Sequence, residues 1–182
     1  MKAWPVQLKA RGVFRGLFLF DLCLGLRSLE HLGNKRGGVM EMETNSPRAA
    51  EIARGVLRLM HDYGFAGVTE MTLANGRRAD VAAIGPAGEI SIIEIKSSVA
   101  DFRSDQKWPE YRPFCDKFYF AVGQDFPQDL IPEETGLIIA DAYGGAVIRE
   151  PDIDKLAAAR RKAVTLRFAR LAAARLCQPV LA

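Results

Sequence analysis

The sequence predicts a mixed α/β fold: a helix, three strands, a second helix and a fourth strand, then further strands and a long helix. Three observations carry this. After Ser46-Pro47, the apolar residues Ile52, Val56, Leu59, Met60 and Tyr63 recur at helical spacing. Three strand-like runs follow, Phe65–Leu73, Arg77–Ile84 and Glu89–Lys96, separated by turn residues. The stretch from Lys155 to Arg175 is rich in Ala and Arg and carries seven basic residues and no acid.

Each element has a local reason. Ser46 suits a helix N-cap and Pro47 the first helical position. Gly64 fits the left-handed residue that follows a last turn. Asn75-Gly76 is a hairpin signal, and Gly85-Pro86-Ala87-Gly88 marks the next turn. Ser98-x-x-Asp101 has the capping-box pattern and opens a helix expected from Val99 to Trp108, with Pro109 ending it. Lys117–Val122 reads as a strand. Gly136–Asp141 and Ala146–Arg149 read as a pair joined by Tyr143-Gly144-Gly145. Pro151-Asp152 is expected to introduce a last helix of about 20 residues.

Composition narrows the class. The 182-residue chain is 49% hydrophobic and 26% charged, which permits a sizeable core and argues against global disorder. Its net charge of +3 is uneven: residues 1–42 hold seven Lys/Arg against three Asp/Glu, and the remainder is close to neutral. Nucleic-acid contact therefore has to come from local patches rather than overall charge. Cys23, Cys115 and Cys177 are odd in number and widely spaced, which argues against a disulfide framework or a zinc site and for buried thiols in a reducing compartment. His31 and His61 are too few for a His-rich metal centre, and His61 is expected at the surface. The apolar run Gly16–Leu26 superficially resembles a secretory signal. Asp21 interrupts it, and it is too short to span a membrane. Residues 1–42 are read as a poorly structured extension or an over-called start, with Met40 and Met42 just before the organised pattern, and residues 43–182 as the folded domain. No Walker A pattern or dinucleotide-binding glycine fingerprint occurs.

The chemistry concentrates in Glu94-Ile95-Lys96. A carboxylate and an ammonium two residues apart on a strand point to one face. Burying either without a partner is costly. Asp80 lies 14 residues upstream in the preceding strand-like run. Two acids and a lysine on adjoining strands can hold a divalent cation beside a phosphodiester.

With this element order, Asp80 on the second strand and Glu94-x-Lys96 on the third, the chain resembles the PD-(D/E)xK nuclease superfamily, and Glu51 on the first helix matches the extra carboxylate of many members. More narrowly, Glu94-Ile95-Lys96-Ser97-Ser98, Asp101-Phe102, Asp105, Lys107-Trp108, Tyr111, Cys115-Asp116 and Tyr119–Val122 look like the MmcB-like DNA repair proteins. The superfamily likeness covers about residues 46–122, the narrower one extends to about 150. Two departures stand out: Ala79 where many superfamily members have Pro, and Lys107 where related nucleases often have Gln.

The resemblance implies a restriction-endonuclease-like core and a DNA repair endonuclease that hydrolyses phosphodiester bonds with Mg²⁺ or Mn²⁺. Asp80, Glu94 and the Ile95 backbone carbonyl would supply metal ligands, with Glu51 adding a further one. Asp80, Glu94 and Lys96 would form the catalytic set, with Lys96 orienting water or stabilising developing charge. Lys107 and Tyr111 would contact nucleic acid at a phosphate or help position Glu94. Branched or damaged DNA and other DNA repair proteins are the expected partners, with no membrane role and a cytoplasmic, nucleoid-associated location.

Simpler readings stand beside these. Glu94 and Lys96 can form an ion pair at a sheet margin. Asp80 can be a turn-proximal acid, and Glu51 a solvated helix acid paired with Arg48 or Arg54. Trp108 is read first as core, with base stacking second. The basic C-terminal helix is read either as tracking a nucleic-acid backbone or as a solvated face. The functional alternatives are a catalytically silent nucleic-acid-binding or partner-docking module, and a restriction-type or RNA-directed nuclease.

Overall fold

The computed structural model describes residues 46–181, so the expected extension over residues 1–42 lies outside the described residues. The chain forms α1 (Pro47–Asp62), β1 (Ala66–Thr72), β2 (Arg78–Ile84), β3 (Ile90–Lys96), α2 (Val99–Ser104), β4 (Lys117–Val122), β5 (Gly136–Ala140), β6 (Gly145–Arg149) and α3 (Ala158–Leu181). The six strands make one sheet in sequence order. β1, β2 and β3 are antiparallel, β3, β4 and β5 parallel, and β6 returns antiparallel to β5. Among the described residues no helix is long and apolar enough to cross a membrane.

The local signals act as read. Ser46 Oγ accepts from the Ala49 N–H at 3.2 Å, and Pro47 opens α1. Gly76, at φ +83°, closes the β1–β2 hairpin, where its N–H donates to the Leu73 carbonyl. β3 is buried at every position because it is central and covered on both faces. Ile93 and Ile95 face α1 in a cluster with Ile52, Val56 and Val81. Ile90 and Ile92 face the other way, into a cluster with Phe102, Phe118, Phe120, Val164 and Phe168. Each such large side chain contributes about 2 kcal/mol by leaving water. The aromatic residues fix the α2–β4 connection to the sheet: Phe102 meets Phe120 edge-on at 5.4 Å, and Trp108 stacks on Phe118 at 5.7 Å. Trp108 is thus part of the packing.

Two expected helix boundaries are corrected. α2 stops at Ser104 rather than Trp108. Ser104 Oγ donates to the Asp101 carbonyl and Gln106 Nε2 to the Phe102 carbonyl, while Asp105 turns extended. α3 begins at Ala158 rather than just after Pro151. The segment before it is held out of the helix by Asp116, whose carbonyl accepts from the Asp154 N–H and whose Oδ1 accepts from the Leu156 N–H. Of the thiols, Cys115 is buried as expected, but Cys177 is exposed on α3.

Asp116 joins three parts of the chain. Its buried carboxylate accepts from the Ile90 N–H at 2.7 Å, from the Leu156 N–H at 2.9 Å, and from both terminal nitrogens of Arg161 at 2.7 and 2.6 Å. Burial pushes its pKa up, but the Arg161 guanidinium and the two N–H donors outweigh that and hold it below the ordinary carboxylate range. The basic α3 is largely committed to the protein itself. Arg167 donates to the Thr72 and Leu73 carbonyls and Arg175 to the Thr69 carbonyl.

Two predictions follow from this packing. Asp116→Ala removes the acceptor of four donated bonds and leaves Arg161 without its carboxylate, so urea denaturation should show a loss of about 3 kcal/mol. A depressed native pKa adds stability above the unfolded value, near pH 4, that disappears as pH falls through the native one. The difference between wild type and variant should therefore be full at neutral pH and shrink below about pH 4. Gly55 lies where α1 crosses the β5–β6 turn, and a Cβ there would collide with the Asp141 and Gly144 carbonyl oxygens. Gly55→Ala, which in an open helix would stabilise by about 1 kcal/mol, should here lower the denaturation midpoint.

Candidate functional site

The site forms where β2 and β3 part. Their ladder runs from Ile84↔Ile90 to Val81↔Ile93. Continuing that register sets Asp80 opposite Glu94, but the backbone pairing stops there. Instead the Ile95 N–H donates to Asp80 Oδ2 at 2.8 Å, so a side-chain carboxylate takes the place of a strand carbonyl. The N–H and C=O of one strand residue point to the same side, so the Ile95 carbonyl turns into the same fork.

Glu94 and Lys96 project from the next strand onto the face of β3 opposite α1. They are only 5% and 3% exposed. Lys96 Nζ lies 3.5 Å from Glu94 Oε1 and 2.9 Å from Asp105 Oδ2. Glu94 Oε2 is buried and has no hydrogen-bond partner. A buried acceptor left unmade costs about 1–3 kcal/mol, more for a charge.

The electrostatics follow from burial and crowding. Burial pushes the Glu94 carboxyl up, and the neighbouring Asp80 charge pushes it further, against the pull of Lys96. Burial also raises Asp80, opposed by the Ile95 N–H and Lys96. Two carboxyls sharing one low-dielectric fork resist double ionisation, and a cation between them removes that resistance. Burial disfavours the charged form of Lys96, but the Asp105 hydrogen bond and the Glu94 charge outweigh it, so its pKa is raised and it stays an ammonium. Partial burial pushes Asp105 up, while bonds from Lys96 and from the Lys107 N–H bring it below its ordinary value.

Asp80, Glu94, Lys96 and the Ile95 backbone are thus brought together. Glu51 is not. It is an exposed residue of α1, and α1 packs on the opposite face of the sheet, against Ile93 and Ile95. The expected fourth ligand from the first helix is therefore withdrawn. Tyr111 also departs from expectation. Its ring is buried in the core, stacked near Phe118, and its hydroxyl donates to the Arg78 carbonyl at 3.2 Å. It braces the strand that carries Asp80 instead of facing nucleic acid. Burial, then the charges of Glu94, Asp80 and Asp105, raise its phenol pKa. Lys107 is exposed beside Asp105.

Asp105 is the site residue that sequence reading left without a role. Extending α2 to Trp108 kept Asp105 on a helix; the early end of α2 turns its carboxylate onto Lys96. A buried lysine has to be paired and hydrogen-bonded, and Asp105 is a carboxylate within reach of Lys96. Asp101 steadies the exit from β3 by accepting from Ser97 N–H and Oγ. Glu70, on β1 and across from Asp80 by continuation of the β1–β2 register, has φ +53° and pairs with Arg78 Nε at 2.5 Å. A non-glycine residue in that region is uncommon and marks a local kink. Nothing in the sequence announces it.

The donor set suits a hard divalent cation. Asp80, Glu94 and the Ile95 carbonyl offer only oxygen, which Mg²⁺ and Mn²⁺ prefer, and the orphaned Glu94 Oε2 is the atom such an ion would satisfy. Among the described residues no group of three or more His, Cys, Asp or Glu side chains converges as a ready-made cage. A bound ion would draw on two carboxylates, the main chain and water.

Comparison with known proteins gives one family and one structure. A family model described as DNA repair protein MmcB-like matches residues 39–182. A solved structure of a protein of unknown function from Silicibacter pomeroyi is similar with a TM-score of 0.70 and 47% identity, covering 71% of this chain and 89% of that one. No curated protein matches the chain. The family match spans the whole sheet, the fork between β2 and β3, and α3: the chain belongs to the MmcB-like DNA repair protein family.

Proposed function

We propose that this protein is a metal-dependent DNA endonuclease of the PD-(D/E)xK type. One observation carries the reading: a buried, unpartnered carboxylate oxygen of Glu94 beside Asp80 and Lys96, where two strands part. Asp80, Glu94 and the Ile95 carbonyl would hold Mg²⁺ or Mn²⁺. When bound, such an ion polarises a phosphate oxygen and supplies hydroxide at neutral pH.

The protein's own residues do the rest. Asp80 is oriented by the Ile95 N–H, which fixes one of its oxygens and leaves the other for the fork. Glu94 is held by packing around β3 and by Lys96. Lys96, braced by Asp105, presents an ammonium in a water-poor site, where a donor aimed at developing phosphate charge is worth about 3–4 kcal/mol. Tyr111 and the Phe102–Trp108 aromatic cluster keep this geometry rigid. Exposed Lys107 stands close enough to Asp105 to meet a phosphate at the rim. DNA is the substrate that family membership supports, with branched or damaged forms, and other DNA repair proteins as partners, part of the same proposal.

A second reading, a catalytically silent DNA-docking module, is favoured by the two-carboxylate donor set, which lacks a third side-chain ligand among the described residues. Calorimetry with Mn²⁺ separates the two. The nuclease reading expects binding in wild type that disappears in Glu94→Ala, and cleavage of flapped or branched DNA that EDTA stops. DNA binding without any cation binding or cleavage would leave the docking module.

Two variant series refine this. Asp80→Asn, Glu94→Gln and Lys96→Met should each lower cleavage by about 10²–10³-fold with DNA affinity kept within a few-fold, read by single-turnover kinetics. Asp105→Asn should lower it by about 10–100-fold, since Lys96 keeps its charge but loses its brace. Asp105→Glu should recover part of that loss, and equal rates in all three Asp105 forms would remove this residue from the mechanism.

A further inference from the structure

A cleft of about 770 Å³ opens between the β1–β2 hairpin tip, the Arg112–Phe114 turn and the first half of α3. It takes no part in the fork at Asp80. Its floor is apolar, with Leu73, Phe114, Leu156 and Val164. Four cations stand around it, Arg112, Lys155, Arg160 and Arg167, against one acid, Asp154. No carboxylate lies within ion-pair distance of any of the four among the described residues.

Two of these cations are held in place by neutral groups. Arg160 Nη1 donates to the Pro113 carbonyl at 3.1 Å, and its guanidinium lies over the Phe114 ring at 5.6 Å. Arg167 Nη1 donates to the Thr72 and Leu73 carbonyls. Carbonyl partners orient a guanidinium without cancelling its charge, so the cleft is a preorganised anion site with an apolar base. A lone small anion would leave the apolar floor unused. A polyanion with flat apolar faces uses both, and single-stranded nucleic acid has that chemistry: phosphates for the cations, and unstacked bases for Phe114 and the Arg160 plane.

We propose that this cleft binds a single-stranded segment of the DNA substrate. The inference rests on the nuclease reading for its substrate, but the binding surface is separate from the fork. The two are linked through the hairpin. Asn75 lines the cleft, and Asp80 follows five residues later, at most about 18 Å along extended chain. Asn75 Nδ2 also donates to the Glu110 carbonyl, and Arg77 pairs with the Glu110 carboxylate, so the hairpin is tied to the segment just before the Arg112–Phe114 turn. A strand seated in the cleft lies within a few nucleotides of the fork. The preferred substrate is then DNA with a single-stranded arm rather than a continuous duplex.

The test uses fluorescence anisotropy with a short labelled single-stranded oligonucleotide in EDTA, where no cleavage occurs. Arg112→Ala with Lys155→Ala should weaken binding at least tenfold. The salt slope should fall by about 1.4, at 0.7 per lost phosphate contact. Ala163→Glu, which puts an acid into the cleft wall, should weaken it as much. The charge-matched control Lys162→Ala with Arg170→Ala, on α3 but outside the cleft, should stay within twofold. Unchanged binding in the cleft variants, an equal loss in the control, or tighter binding of anionic phospholipid vesicles through the same residues would overturn the proposal. Wild type that binds through the cleft but cuts nothing with Mn²⁺ would overturn the nuclease reading alone. Wild type that cuts while the cleft variants bind normally would overturn the cleft alone.

Discussion

The structure turns on one substitution of partners: at the end of the β2–β3 ladder, the Asp80 carboxylate accepts the Ile95 N–H that a strand carbonyl would otherwise take. A sheet that stayed paired at this point would have no room between strands. Because a side chain completes the hydrogen bonding, the backbone separates without leaving a donor orphaned. The opening exposes polar groups of two strands to one small space, shared by Asp80, Glu94 and Lys96.

The charges in that space are balanced with one remainder. Lys96 sits between Glu94 and Asp105, so it is doubly compensated. Asp80 has a backbone donor. One Glu94 oxygen has nothing. A protein that needed only stability would do better with apolar residues at 94 and 96, since buried ion pairs seldom outperform hydrophobic packing. The polar set at the C-terminal end of the fully buried β3 is left incomplete, and that is the observation on which the proposed cation site rests.

Much of this was legible in the sequence, for identifiable reasons. Strand runs, turn glycines and the Ser46 and Ser98 caps are local signals, and they placed every strand. The pairing of Glu94 with Lys96 on one face follows from the two-residue period of a strand. The boundaries that were misread are those set from a distance. Asp105 leaves its helix to reach Lys96 on β3, and the segment before α3 stays non-helical where Asp116 holds it. Glu51 was placed by family analogy, and no local pattern could tell which face of the sheet α1 would cover. Tyr111 was read as a contact to nucleic acid or a support for Glu94, and only the sheet shows that its ring is core.

The α3 side chains Val164 and Phe168, with Arg161 anchored on Asp116, close the cluster on the face of the sheet that bears Glu94. The α3 side chains are synthesised after all six strands. During translation that face therefore stays open to solvent until α3 has emerged, and long-range closure of this kind is slow to form. The face that bears Glu94 and Lys96 is consequently closed last, once α3 has packed onto the sheet.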